Sequence, residues 1–137
     1  MKLLGEKRGT VINLTSAAAT TVYQGVGSSY SLSKLISLQL VGWIAVENPN
    51  VTAIALHPGM VLTDMTVESV KRFNIDTPEL VGGVGVWLST EKAQFLGSRY
   101  MNANWSVEEL VERKDEIIGG NKLTIALVGK FGSEQFA

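Results

Sequence analysis

The sequence predicts an α/β fold, and three observations carry that expectation. Two short apolar runs rich in β-branched residues, "TVINLTS" at residues 10–16 and "VTAIAL" at residues 51–56, flank a helical stretch over residues 28–48. A strand–helix–strand crossover of that length joins parallel strands, since antiparallel partners need only a short hairpin. Hydrophobic residues make up 45% of the 137 and charged residues 18%, enough apolar surface for the core of a single domain over residues 1–137.

The elements follow in order. The first strand begins after Gly9, ends in small residues and reads as buried on both faces. "AAATTVYQGVGS" has no period and reads as a loop. In the helix over residues 28–48, Leu32, Leu35, Ile36, Leu40, Trp43 and Ile44 form one broad side, while Val41 and Ala45 face elsewhere. A helix apolar nearly all round is expected to be buried on two sides. "ENPN" closes it, because the residue before Pro49 resists helical geometry. The second strand stops at His57, Pro58 and Gly59. "TDMTVESVKRF" reads as a short helix. "TPELVGGVGVWLS" reads as another, with Thr77 as N-cap, Pro78 at the first helical position and Glu79 beside the positive end of the dipole. Gly82, Gly83 and Gly85 within it suggest close packing against a neighbour. "SVEELVERKDEII" is a polar helix opened by a Ser106–Glu109 capping box, and "KLTIALVG" reads as a last strand. There is no internal repeat and no interdomain linker.

Composition excludes several function classes. Twelve basic against thirteen acidic side chains leave a net charge of −1, so charge marks out no nucleic-acid partner. The absence of cysteine excludes disulfides and thiolate metal sites, and no metal site is expected. No apolar run reaches the roughly 18 residues of a membrane span, and "MKLLGEKRGT" is too short for a signal peptide. A cytoplasmic chain with no membrane partner is the expectation. The Asn-x-Ser/Thr matches at Asn13, Asn50 and Asn104 then read as chance.

The candidate chemistry lies in "GSSYSLSK". Tyr30 and Lys34 stand four residues apart and share a helix face near its first turn. An ammonium near a phenol favours the phenolate, which lowers the tyrosine pKa from about 10 and suits the residue to acid/base work near neutral pH. Ser16 leaves the preceding strand at its carboxyl end, where open parallel sheets bind ligands. Its hydroxyl could polarise a carbonyl beside the phenol.

"INLTS", "YSLSK" and "HPGMVLT", in that order, resemble the active-site half of a short-chain dehydrogenase/reductase. The resemblance implies a Rossmann-like parallel sheet and an NAD- or NADP-dependent oxidoreductase that interconverts a small-molecule alcohol and a ketone or aldehyde. It implies that Ser16 orients the substrate oxygen, Tyr30 is the acid/base, and Lys34 lowers the tyrosine pKa and binds the nicotinamide ribose. Pro58, Gly59, Val61 and Thr63 fall on the family's Pro-Gly-x-Val-x-Thr loop, which holds the nicotinamide. Related enzymes associate through this long helix and the one before it, so a homodimer or homotetramer is expected.

The family's Gly-rich turn and Asn-Asn-Ala-Gly segment have no counterpart here. "GVGSSY" lacks the third glycine and opens no first βαβ unit. The chain therefore reads as a C-terminal part lacking the N-terminal Gly-rich βαβ half. It is expected to leave the strand at residues 10–16 with an unpaired edge and to bind dinucleotide weakly or not at all. Two rival readings remain. Ser31 and Lys34 match Ser-x-x-Lys acyl-transfer enzymes, but no Ser-Asp-Asn or Lys-Thr-Gly accompanies them. A truncated dehydrogenase could also serve as a non-catalytic binding or assembly module. His57, the one histidine, reads as a satisfied loop residue outside the site, and Trp43, Trp87 and Trp105 read as core or interface.

Overall fold

The computed structural model describes residues 5–64, 66, 71 and 75–127. Strand β1 (Gly9–Leu14), helix α1 (Ser28–Glu47) and strand β2 (Val51–His57) form the expected crossover. Helix α2 (Pro78–Leu88), a 3-10 segment at Glu91–Leu96, strand β3 (Tyr100–Asn102) and two short helices, α3 (Val107–Glu112) and α4 (Lys114–Gly119), complete the described elements. The sheet order is β1-β2-β3 and both pairings are parallel. The register Gly9↔Val51 through Leu14↔Leu56 brings the two longer strands to the same carboxyl edge.

Alternation along β2 divides the core in two. Ala53 and Ala55 face α1, packing with Leu38 and Val41 and with the half-buried Val11, Leu35 and Ile44. Ile54 and Leu56 face the other way, against Val84 and Leu88 of α2, Ala93, Leu96, Leu110 and Ile117. Alanines under α1 let the helix axis approach the sheet, while branched side chains fill the wider space beneath α2. Two polar side chains of β1 fasten α1 in place: Asn13 Nδ2 donates to the Ser37 carbonyl at 2.7 Å, and Thr15 Oγ1 donates to the Lys34 carbonyl at 2.8 Å.

The start of α2 is capped as its sequence predicts, with Thr77 Oγ1 accepting from the Leu80 amide at 3.3 Å and Pro78 in the first turn. Ser106 likewise accepts from the Glu109 amide, at 3.1 Å. Other expectations are corrected. β1 is only half-buried because β2 is its sole strand partner among the described residues. α1 is buried on one side: Leu38 and Val41 lie inward, whereas Leu32, Ile36, Leu40, Trp43 and Val46 are exposed. The glycines of α2 meet no atom within 4 Å of where a Cβ would stand, so they mark no close approach. The polar helix breaks at Arg113 (φ −93°, ψ 13°), whose guanidinium pairs with Glu109 and Glu116 on either side of the break.

The expected strand at residues 122–129 is absent over its described part. Asn121 and Leu123 have φ of 45° and 63°, which no ladder accommodates, and only the Leu123 carbonyl accepts from Tyr100, at 2.8 Å. β3, a three-residue strand, was not legible in the sequence. The expected helix at "TDMTVESVKRF" lies largely outside the described residues.

Truncation on the two faces of α1 should separate inner from outer residues. Leu38→Ala is expected to cost about 2–5 kcal/mol of unfolding free energy, and Ile36→Ala, at 67% exposure, within about 0.5 kcal/mol. Urea denaturation checks both; equal losses would place a covering element on the outer face.

Candidate active site

The carboxyl edge of the sheet gathers the candidate residues. The β1 ladder extends one bond past the strand, with the Thr15 amide donating to the Leu56 carbonyl at 2.9 Å. Ser16 and the His57-Pro58-Gly59 turn therefore leave adjacent strand ends. Ser16 caps a 3-10 turn at Ala17–Ala19, its Oγ accepting from the Ala18 amide at 3.2 Å. The hydroxyl proton stays available to a ligand. Ala19 packs in the same cluster as Leu38 and Val41, which fixes this turn against α1.

Tyr30 and Lys34 stand on the first turns of α1, over the end of β1. Lys34 Nζ lies 5.8 Å from the centroid of the Tyr30 ring and donates to the Leu14 carbonyl at 3.4 Å. It forms no ion pair among the described residues, so most of its donor capacity is open. The Tyr30 side chain is 39% exposed. A Ser16 hydroxyl whose proton has no acceptor among the described residues, a partly exposed tyrosine and an ammonium with spare donors form a set suited to a carbonyl oxygen and vicinal ribose hydroxyls. In that respect the residues present fit the nicotinamide–ribose half of a dinucleotide.

The Pro58–Thr63 loop is built from within. Gly59 has φ of 80°, and a Cβ there would run into the Asp76 carboxylate and the Asn104 amide. Asp76 Oδ2 accepts from the Met60 amide at 2.6 Å and from Asn104 Nδ2 at 3.2 Å. Val61 bridges to Asp76 in parallel fashion. The Thr63 amide donates to Thr66 Oγ1 at 2.9 Å and the two hydroxyls lie 3.4 Å apart, so the Thr63 backbone donor is already engaged internally.

His57 departs from its expected role as a satisfied loop residue. It is the last residue of β2 and is 8% exposed, with Nδ1 buried and without a hydrogen bond among the described residues. Its ring centroid lies 6.3 Å from that of Tyr100, which in turn meets Trp105 edge-on at 5.8 Å. Burial lowers the His57 pKa from 6.5, with the Asp76 carboxylate opposing the shift. Burial, aided by nearby Tyr23, pushes the Tyr100 hydroxyl up to about 12.

Sequence reasoning missed Asn13, Thr15, Asp76 and Asn104. The only signal for the first was a polar residue within an apolar strand. Asp76 carried none, because the Met60 amide it meets lies sixteen positions earlier in the chain.

No family model matches the chain. The short chain dehydrogenase citE of Monascus ruber is 41% identical over 129 residues, covering 90% of this chain and 43% of that protein. The short chain dehydrogenase andI of Emericella variicolor is 32% identical over 130 residues, covering 91% and 44%. The chain thus spans less than half the length of these relatives. Among solved structures, a 7 alpha-hydroxysteroid dehydrogenase complexed with NADH and 7-oxo glycochenodeoxycholic acid matches with a TM-score of 0.61 at 19% identity, covering 72% of this chain and 44% of that one. A short-chain dehydrogenase/reductase from Serratia marcescens matches at 0.59 and 21% identity, covering 68% and 43%. BdcA, in complex with NADPH, matches at 0.59 and 17% identity, with the same coverage.

The His57 shift fixes the sign of one pH dependence. A histidine whose folded pKa lies below 6.5 contributes fully above that pH, and its contribution falls as pH drops from 6.5 toward the folded value. Chemical denaturation across that window should show stability declining with acidification, and His57→Asn should flatten the decline. An unchanged slope in the variant would mean His57 is not the group responsible.

Proposed function

Since the chain belongs to the short-chain dehydrogenase/reductase family, matching a curated member at 41% identity over 90% of its own length, we propose that its site serves NAD- or NADP-dependent interconversion of an alcohol and a ketone or aldehyde. The observation that carries this reading is the placement of Lys34, whose ammonium reaches back to the Leu14 carbonyl while lying beside the Tyr30 ring. One cation thereby lies between the strand end next to Ser16 and the Tyr30 ring.

A bound nicotinamide supplies the hydride in one direction and accepts it in the other. In the reducing direction Ser16 Oγ donates a hydrogen bond to the substrate carbonyl oxygen, and the Tyr30 hydroxyl delivers its proton to that oxygen as the carbon is reduced. In the oxidising direction the proton returns to Tyr30. Lys34 would hold the ribose hydroxyls with its spare donors, and its ammonium would set a positive charge near the phenol where negative charge develops. Pro58, Gly59, Val61 and Thr63 would border the nicotinamide, on a loop whose Met60 amide is already held by Asp76.

A second reading rests on the exposed stripe of Leu32, Ile36, Leu40 and Trp43 along α1. Such a face suits an assembly role for a non-catalytic module, or a homodimer of the enzyme. Chemistry at Tyr30 separates these alternatives.

Two measurements test the enzymatic reading. Reduced nicotinamide mononucleotide, the part of the cofactor this site faces, is expected to shift the amide resonances of Tyr30, Lys34 and residues 59–63 at about millimolar concentration, a weak affinity in keeping with a small ligand. Shifts confined to other surfaces would overturn the site. In any preparation that turns over a carbonyl substrate, Tyr30→Phe should lower kcat by about 10²–10⁴ and leave cofactor affinity within about twofold. Equal loss of both would make the tyrosine structural.

A further inference from the structure

The Pro58–Thr63 loop is held by a carboxylate that none of the family motifs singles out. Gly59 sits at φ 80°, and the space a side chain would take is filled by Asp76 and Asn104. Asp76 reaches the loop three ways: its Oδ2 accepts from the Met60 amide at 2.6 Å, its own amide donates to the Met60 carbonyl at 3.3 Å, and its backbone bridges Val61. Asn104 reinforces it from the β3 side. Asn104 Nδ2 donates to Asp76 Oδ2 at 3.2 Å, and the Asn104 amide donates to Asn102 Oδ1 at 3.1 Å. The loop after β2, the lead-in to α2 and the turn after β3 thus meet at one carboxylate oxygen.

We propose that Asp76 is the positioning residue of the Pro58–Gly59 loop, its carboxylate fixing the loop's backbone from the side formed by Asn104 and the lead-in to α2. The inference rests on the reading above, in which that loop borders the nicotinamide. A charge-assisted bond to the Met60 amide holds the peptide that follows Gly59, and so orients the carbonyl and amide groups of the loop. The missing Gly59 side chain and the carboxylate are one device: the glycine leaves the room that the carboxylate fills. Preformed loops of this kind lower the ordering cost of ligand binding. Asp76 touches no ligand in this scheme and acts only through the backbone it holds. Asn104 is a support for Asp76, since its amide fills one of the carboxylate's remaining acceptor positions.

Amide hydrogen exchange and a double-mutant cycle on the full 137-residue chain test the proposal. Asp76→Ala should speed exchange at Met60 by about ten- to a hundredfold, the span expected for losing a hydrogen bond to a charged group. Exchange in β2 should be unchanged. Asp76→Asn, which keeps one acceptor oxygen, should restore most of the protection, a rescue that general destabilisation would not give. Gly59→Ala should also expose Met60, and adding Asp76→Ala to it should cost less than the sum of the two, because removing the carboxylate makes room for the methyl group. Reduced nicotinamide mononucleotide should shift residues 59–63 less in Asp76→Ala than in the unaltered chain while still shifting Tyr30 and Lys34. Unchanged Met60 exchange in Asp76→Ala, or strictly additive effects in the cycle, would overturn the positioning role. Loss of every nucleotide response in the unaltered chain would instead contradict the nicotinamide reading, and the Met60 exchange result would stand apart from it.

Discussion

The parallel pairing of β1 with β2 is the constraint on which the rest depends. Its register, Leu14 opposite Leu56, ends both strands at one level, so the serine turn and the Pro-Gly turn emerge side by side. A slip of one residue would turn every side chain of β1 to the opposite face and carry Val11 and Ile12 out of their separate cores. The same register places Asn13 and Thr15 beneath α1, where they bond to the carbonyls of Ser37 and Lys34. Those bonds fix the helix along and around its axis. Tyr30 and Lys34 reach the strand end because the strand itself holds the helix that carries them.

The long helix shows how far burial alone defines an element. α1 has almost no hydrophobic asymmetry, so neither its propensity nor its pattern selects an inner face. The sheet makes the selection. Ala53 and Ala55 offer a shallow surface that Leu38 and Val41 can approach, and the helix settles with those residues inward. Leu32, Ile36, Leu40 and Trp43 are then left outside, as a continuous apolar stripe at helical spacing. β1 likewise has one side of its backbone unpaired among the described residues.

Much of this was legible in the residues, and the failures have physical causes. The βαβ unit was legible because β-branched runs and a twenty-residue helix are long signals, and the α2 start because Thr77, Pro78 and Glu79 each favour a helix N-terminus independently. The α1 face was not, since apolar residues surround the helix. β3 was not, because three residues flanked by 3-10 and turn geometry carry no period. The expected strand after α4 failed at Leu123, whose left-handed backbone ends any ladder. Around the candidate site, the position of Ser16 at a strand end and of Tyr30 and Lys34 on neighbouring turns of one helix followed from local pattern, whereas Asp76 and the burial of His57 depend on contacts between distant segments that no local pattern encodes. The glycines illustrate the difference: Gly59 is required by its neighbours, and those of α2 touch nothing.

Pinned to β1, α1 holds the Lys34 ammonium between the Tyr30 ring and the end of the first strand. Proton–proton nuclear Overhauser contacts of the Lys34 side-chain methylenes measure this most directly. Cross-peaks are expected from the methylene next to Nζ to the Tyr30 ring protons and to the Leu14–Thr15 backbone. Cross-peaks from that methylene only to residues of the outer stripe, such as Leu32 or Ile36, would contradict it.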